Sequence, residues 1–396
     1  MRSLSHNLWP SLTLGLLLAL AFAGCNNHTE KSAGLISFYI DDSTFVTLPT
    51  SGVLKGKDIT IYNGGEDIVL SLIDTNTFSV PVFNGSLVGA WREDGAFCGG
   101  WTDSLRSPDY FIPLEIAPSV IGEECNETPS DFNYKTTCGL LVAQEFCDSV
   151  IGTILTPTGD YRYLSGTIDA GVLRLGTFDG AHLFSFEADA VGDSLINGWF
   201  KSGTHFSEPW SGVKTNNVAP NWSSSQEPNL DKPVSFRALS LDGVEVEVSL
   251  NSLEDSGKKL LVVDVLGTWC PNCYDEVRLL KEMSNKHPEV MFVSVAFERL
   301  DTVKALERLT QFKADLGLDW EVYYGGKASK ALADSVLPFL GGVKSFPTTA
   351  FIPLEGQIKV HTGFSGPATK EYENEVDFYT STIESFLDPS QEVSNE

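Results

Sequence analysis

Hydrophobic and polar positions alternate in short runs through the first half of the chain. The clearest runs cover 161–168, 171–178, 182–188 and 194–201, and Asp-Ala-Gly, Asp-Gly and Val-Gly-Asp turn signals separate them. Period-two alternation broken by such turns is typical of short antiparallel strands. Residues 34–213 are therefore predicted to form one all-β domain, an antiparallel meander of barrel-like form.

The pattern changes after residues 214–233, which are rich in Ser, Asn and Pro, lack apolar periodicity and are predicted to be a linker. Asp242-Gly243 between two apolar runs then predicts a β-hairpin. Residues 260–266 form a continuous apolar run, typical of a strand covered on both faces of a sheet. An α/β domain is predicted over 234–390, with further strands at 290–296 and 320–324 and helices at 302–316, 329–340 and 370–387.

The length of the chain indicates two domains, and its net charge argues against one class of ligand. The 396 residues exceed the ~250–300 that one hydrophobic core usually serves. A net charge of −26 argues against nucleic-acid binding, which requires basic groups to neutralise phosphates.

The first residues have the character of an export signal. Arg2 and His6 precede a short apolar run, and small residues follow it, so residues 1–24 are predicted to be a signal peptide. Phe22-Ala23-Gly24-Cys25 resembles the lipobox of bacterial lipoproteins, although Phe22 stands where Leu is usual. The resemblance implies a lipid on Cys25, a tether over 25–33 and a membrane-anchored protein facing the periplasm. Ordinary signal cleavage and an uncleaved anchor are the alternatives.

The candidate chemistry lies at Cys270-Pro271-Asn272-Cys273, directly after the apolar strand. Apolar residues at helical spacing follow the motif, so the motif is predicted to open a helix with Cys270 at the N-cap and Pro271 at the first position. Backbone N–H groups and the helix dipole there favour a thiolate, which makes Cys270 the exposed nucleophile and Cys273 the shielded resolving residue. Tyr274 excludes a CxxCH haem motif, and no second CxxC supports a zinc site.

Four other cysteines, Cys98, Cys125, Cys138 and Cys147, lie in the β-rich half. In an oxidising compartment they could form two structural disulfides in any of three pairings, or remain free and buried as small hydrophobic residues. His182 and His205 are interpreted as surface residues, and no metal site is predicted.

Several motifs in order make 235–388 resemble the thioredoxin-like thiol–disulfide oxidoreductases of the bacterial envelope, the TlpA/ResA type. These are the hairpin at 242–243, the strand entering Gly-Thr-Trp-Cys-Pro-Asn-Cys, Ser-Phe-Pro-Thr-Thr at 345–349 and the turn at 354–358. The resemblance implies an α/β thioredoxin fold and a cis Pro347 facing the cysteines. It also implies that Trp269, Pro271 and Phe346 contact the substrate.

Two acidic residues are candidates for the proton acceptor of Cys273. Asp264 lies six residues before Cys270, as the buried acid of thioredoxin does, and Glu276 follows Cys273 by three, as an acid of the ResA type does. Burial would raise a carboxyl pKa towards neutrality and suit it to this role. Asp264 is preferred, because an unpaired Asp in an apolar strand is costly.

The expected activity is reduction of disulfides in envelope proteins, with cytochrome c apoproteins among the candidate substrates and without a cofactor. A separate redox partner would be needed. A peroxidase related to the AhpC/TSA family is an alternative, but Gly267 stands where that family has Thr. The other is a surface binding protein that uses its β-rich domain, with an accessory thioredoxin module.

Overall fold

The computed structural model describes residues 33–51, 56–80, 83, 85–104, 106–119, 128–147, 149–217 and 224–388. The predicted signal peptide, Cys25 and Cys125 lie outside these ranges. Within them, no helix is long and apolar enough to cross a membrane.

The first sheet is a closed antiparallel barrel of eight strands in chain order. Pairing of the first strand with both the second and the eighth closes it. Alternate residues point inward and form a continuous apolar core. The strands are Ala33–Tyr39 (β1), Phe45–Ser51 (β2), Ile59–Asn63 (β3), Glu66–Asp74 (β4), Thr77–Ser79 (β5), Gly85–Trp91 (β6), Phe97–Asp103 (β7) and Phe111–Pro118 (β8).

The second sheet has nine strands and its own apolar core. Its order is β10-β9-β17-β16-β15-β14-β13-β11-β12, and a further pairing of β10 with β11 closes the ring. The strands are Ser130–Thr136 (β9), Leu140–Phe146 (β10), Ser149–Thr156 (β11), Gly159–Asp160 (β12), Leu164–Asp169 (β13), Val172–Phe178 (β14), Leu183–Val191 (β15), Ser194–Ser202 (β16) and Phe206–Lys214 (β17).

The region predicted as one β-rich domain thus contains two closed sheets that pack together. Phe178 of β14 stacks on Phe38 of β1, with ring centroids 4.6 Å apart, and lies edge-on to Trp101 at 5.0 Å. The Thr177 hydroxyl donates a hydrogen bond of 3.0 Å to the Asn63 side chain across the same contact. Alternation of apolar and polar residues along a segment predicts a strand, but it does not show which sheet that strand joins.

The third sheet is mixed and carries helices on both faces. Its strands are Ser225–Gln226 (β18), Ser235–Leu239 (β19), Glu245–Ser249 (β20), Leu260–Leu266 (β21), Val290–Glu298 (β22), Glu321–Lys327 (β23), Thr348–Pro353 (β24) and Lys359–Thr362 (β25). The helices are Leu250–Ser256 (α1), Pro271–Lys286 (α2), Thr302–Leu316 (α3), Lys330–Val336 (α4) and Glu371–Leu387 (α5), with a 3₁₀ turn at Pro338–Leu340.

The order β18-β25-β24-β21-β22-β23-β19-β20 places β21 at the centre of this sheet. It runs parallel to β22 and antiparallel to β24, and every residue in it is buried. Two apolar cores lie on opposite faces of the sheet. A strand covered on both faces is what the continuous apolar run at 260–266 predicted.

The predicted linker, 214–233, is not wholly unstructured. Ser225 and Gln226 form β18, which pairs with β25 at the edge of the third sheet. Gln226 is buried, and its side-chain amide donates to the Leu340 carbonyl at 2.6 Å. A two-residue strand has no periodicity from which to predict it.

Candidate functional site

The CxxC motif joins β21 to α2, as predicted. Cys270 is the N-cap with extended backbone, and Pro271 occupies the first turn. The backbone N–H of Cys273 donates to Cys270 Sγ at 3.3 Å. Cys270 and Cys273 are not bonded to each other in the structure.

Cys270 is less accessible than the sequence predicted. Only 7% of it is exposed, and Cys273 is fully buried. Burial raises the pKa of the Cys273 thiol well above its ordinary value, and its hydrogen bond to Cys270 adds to this effect. Cys273 therefore needs a proton acceptor before it can attack.

The loop before β24 faces the motif. The Phe346–Pro347 peptide bond is cis, as the resemblance implied, and the Cys270 thiol lies 3.5 Å from the Phe346 carbonyl oxygen. Trp269 packs edge-on against Phe346 at 5.5 Å and donates its indole N–H to the Phe297 carbonyl at 2.9 Å. Arg299 lies over the Trp269 ring at 4.2 Å. Trp269 and Phe346 thus form an aromatic rim beside Cys270.

The two candidate acids form a pair behind the cysteines. Asp264 and Glu276 are both buried, and each carboxyl group affects the pKa of the other. Asp264 Oδ1 and Glu276 Oε2 have no hydrogen-bond partner among the described residues. Because two neighbouring buried carboxyl groups disfavour a second negative charge, the pair is expected to hold one proton. Burial raises the pKa of Asp264 well above its ordinary value, and the neighbouring Glu276 charge raises it further.

Glu276 holds the negative charge of this pair more readily than Asp264. Burial raises the Glu276 pKa, but hydrogen bonds from the Tyr379 hydroxyl and from the Thr349 hydroxyl, the latter at 2.7 Å, oppose the shift. Asp264 receives one such bond, from the Ser294 hydroxyl at 2.9 Å. The proton of this pair is therefore expected mainly on Asp264, whose pKa is raised more strongly. When Asp264 is ionised, its charge raises the pKa of Cys273.

Sequence reasoning missed the contacts that the second β-sheet makes with the motif. The Asn272 side-chain amide donates to the backbone oxygen of Asp160 at 3.1 Å and to its carboxylate at 3.2 Å. Arg162 donates to both carboxylate oxygens of Asp275, at 2.8 and 3.1 Å. Arg162 is a buried non-glycine residue with a positive φ of 53°, and no sequence pattern marks this conformation.

The remaining cysteines do not form the two disulfides considered above. Cys98 is free on β7 of the first barrel, where Arg92 donates to its sulfur at 3.5 Å, and Cys138 is free beside Thr136 in the second sheet. Cys147 is disulfide-bonded, whereas Cys125 lies outside the described residues. Pairing of Cys98 with Cys138 is wrong because they lie in different barrels.

The two histidines considered above lie at the end of the second sheet. The ring of His182 lies 3.2 Å from the Asp179 carboxylate, and the ring of His205 lies edge-on to Tyr110. The described part of the chain contains no group of His, Cys, Asp and Glu residues suited to a metal ion.

Comparison with known proteins gives partial matches, and no family model matches the chain. Thioredoxin H3 of Arabidopsis thaliana is 37% identical over 49 residues, which is 12% of this chain and 42% of that protein. The chloroplastic thioredoxin-like 2-2 of the same plant is 28% identical over 79 residues, 20% of this chain and 29% of that protein. The chain thus spans less than half the length of these curated relatives.

Solved structures give matches of low identity. MTB dsbF is 23% identical and covers 39% of this chain and 96% of its own, with a TM-score of 0.29. A thioredoxin family thiol:disulfide interchange protein from Chlorobium tepidum TLS is 21% identical and covers 38% and 94%, with a TM-score of 0.27. Over part of its length the chain is similar in sequence to thioredoxins.

Proposed function

We propose that this protein is a thiol–disulfide oxidoreductase that reduces disulfides of envelope proteins. The observation that carries the proposal is the arrangement of Cys270, which accepts the Cys273 N–H, faces the cis peptide bond of Pro347 and lies in front of an acid pair. A metal half-site would not need a buried second thiol, an opposing cis-proline loop or a proton acceptor.

In the first step the Cys270 thiolate attacks one sulfur of a substrate disulfide. A bond forms between Cys270 and that sulfur, the substrate S–S bond breaks, and the leaving thiolate takes a proton from water. Backbone donors at the start of α2 stabilise the attacking thiolate. The Phe346 carbonyl and the aromatic rim offer main-chain and apolar contacts to the polypeptide around the disulfide.

In the second step Cys273 attacks Cys270 and releases the substrate as a second thiol. The Cys273 proton moves to Asp264 as the shared proton moves to Glu276, and the acid pair later returns one proton to the departing substrate thiolate. The products are a reduced substrate and a Cys270–Cys273 disulfide, which a reducing partner must reopen. Two electrons pass from the enzyme dithiol to the substrate.

Nothing in the site favours the peroxidase alternative. Gly267 occupies the position where a peroxidase of the AhpC/TSA type has Thr, and a side chain there would collide with the Trp269 indole. The next residue, Thr268, directs its hydroxyl to Glu298 at 3.0 Å.

The test is the reduction potential of the Cys270/Cys273 pair, measured by equilibration with glutathione or dithiothreitol buffers. A potential below about −220 mV supports a reductant, and a value near about −120 mV would instead indicate an oxidant. Anchoring through a lipid on Cys25 and a periplasmic location belong to the same proposal and rest on the lipobox-like sequence.

A further inference from the structure

One tight turn of the second β-sheet lies against the redox motif. It is made by residues 158–162, which we call the covering turn. Asp160 is its centre: it accepts hydrogen bonds from Asn272 and, through its other carboxylate oxygen, from the Gly366 backbone N–H at 3.2 Å. Asn272 also donates to the Phe364 carbonyl at 3.0 Å. The covering turn thus bridges the start of α2 and the loop that follows β25.

Two glycines permit this contact at backbone distance. A Cβ on Gly159 would lie 2.6 Å from the Asn272 amide nitrogen and 2.7 Å from the Phe364 carbonyl oxygen. A Cβ on Gly363 would lie 2.5 Å from the carbonyl carbon of Thr158. Because such distances are shorter than any real Cβ contact, the two backbones can meet only where both residues lack a side chain.

Buried charges fasten the covering turn in place. Arg162 forms ion pairs of 2.8 Å with Asp275 of α2 and with Glu66 of β4. One side chain of the second sheet therefore contacts both the first barrel and the helix that carries the motif. Arg162 and Asp275 are almost fully buried. Phe83 adds an apolar contact, with its ring centroid 5.2 Å from that of Tyr274.

The covering turn also packs against a loop that is bonded to the cis-proline loop. Gly363, against which Thr158 packs, donates its backbone N–H to the Pro347 carbonyl at 2.9 Å. The turn thus meets the motif at Asn272, two residues after Cys270, and meets the loop that is hydrogen-bonded to Pro347.

We propose that the covering turn is a specificity-determining wall beside Cys270, which admits small or extended disulfides and excludes bulky folded ones until the β-sheets move away. The effect of this wall on catalysis rests on the function proposed above, whereas its exclusion of bulky reagents from Cys270 does not. If the open arrangement is populated at about 1–10%, reaction with a bulky reagent is slowed roughly 10–100-fold relative to the fully open protein.

The exclusion can be measured by alkylation of Cys270 in the full-length reduced protein. N-ethylmaleimide serves as the small reagent and a maleimide on a long polyethylene glycol chain as the bulky one. Modification is followed at Cys270 by peptide mass spectrometry, because Cys98 and Cys138 are also free thiols. The quantity compared is the ratio of the small-reagent rate to the bulky-reagent rate.

Two independent variants release the covering turn. Gly159→Ala inserts a Cβ at the contact, and Arg162→Gln combined with Asp275→Asn and Glu66→Gln removes Arg162 together with both carboxylates that it pairs with. The matched control is Gly192→Ala in the β15–β16 turn: its φ of 58° is also positive, but no atom lies within 4 Å of the added Cβ. Amide hydrogen exchange of 158–162 reports the release directly.

We expect the two release variants to lower the rate ratio about tenfold or more, with N-ethylmaleimide labelling within about twofold of wild type and the control unchanged. Insulin reduction should rise in parallel, while reduction of a small aromatic disulfide stays constant. An unchanged ratio in both release variants overturns the proposal, and so does slower insulin reduction, which would mean that the turn binds substrate. If wild type has a high rate ratio but reduces neither insulin nor the small aromatic disulfide, the proposed wall stands and the proposed function is refuted.

Discussion

Substitution of Asp264 by Asn removes the proton acceptor and leaves its surroundings almost unchanged. The side chain keeps its volume, and its oxygen can still accept the 2.9 Å hydrogen bond from the Ser294 hydroxyl. What is lost is the ability to take a proton from Cys273. Loss of a positioned general base typically slows a step ~10²–10⁴-fold, equivalent to ~2.7–5.5 kcal/mol of activation free energy.

That loss should affect only one of the two chemical steps. The rate at which Cys270 forms a mixed disulfide should change less than about threefold, whereas resolution by Cys273 should slow ~10²–10⁴-fold. Rapid acid quenching and mass spectrometry separate these steps, because the mixed disulfide carries the mass of the substrate. Equal slowing of both steps, or unchanged resolution, would refute the role assigned to Asp264.

The coupling between Asp264 and Glu276 adds a second test. Since the two buried carboxyl groups are expected to hold one proton between them, Glu276→Gln should impair resolution as Asp264→Asn does, and the double variant should be little slower than either single one. The free energy of unfolding should also depend on pH. A carboxyl group whose pKa is raised by burial stabilises the fold below its unfolded pKa, and this stabilisation is lost as pH rises through the folded pKa. Asp264→Asn should therefore reduce the fall in stability at high pH.

Three further outcomes follow from other parts of the molecule. Arg162→Met should lower the free energy of unfolding by ~3–5 kcal/mol in urea titrations, because Asp275 and Glu66 lose their buried partner; no loss would show that this ion-pair cluster does not hold the sheets together. Burial, with Asp275 adjacent, raises the pKa of Asp160 to about 7, against which Arg162 and the Gly366 N–H act. The stabilising contribution of protonated Asp160 should therefore be lost as pH rises through about 7. Protection factors of the 158–162 amides against hydrogen exchange should fall there in wild type but not in Asp160→Asn. Cys25→Ala should abolish incorporation of labelled palmitate into the protein expressed in bacteria, and retained label would contradict anchoring at Cys25.

Local features of the site were predictable because each depends on a few adjacent residues. A cysteine before Pro at the start of a helix predicts an N-cap, and the structure has Cys270 there. The apolar run at 260–266 predicts β21 with its observed bounds, and the helix predicted at 302–316 is observed as α3. The cis bond at Pro347 came from family resemblance, since a single sequence does not distinguish cis from trans.

The features that sequence reasoning missed depend on residues far apart in the chain. Asp264 and Glu276 were considered as rival proton acceptors, but the fold joins them in one pair. Cys270 was expected to be exposed, but only 7% of it is. Residues 158–162 of another sheet contact the motif at Asn272. The exposed or buried state of a side chain at a domain contact depends on tertiary packing, which periodicity within one element does not report.

The most direct test of the proposed function compares trapping by Cys273→Ser and Cys270→Ser in the full-length protein. We expect Cys273→Ser to accumulate mixed disulfides with envelope proteins that dithiothreitol releases, because Cys270 attacks and nothing resolves the intermediate. Cys270→Ser should accumulate almost none, since Cys273 is fully buried. Trapping by Cys270→Ser would reverse the assigned roles of the two cysteines, and trapping by neither variant would contradict thiol–disulfide exchange as the function of this site.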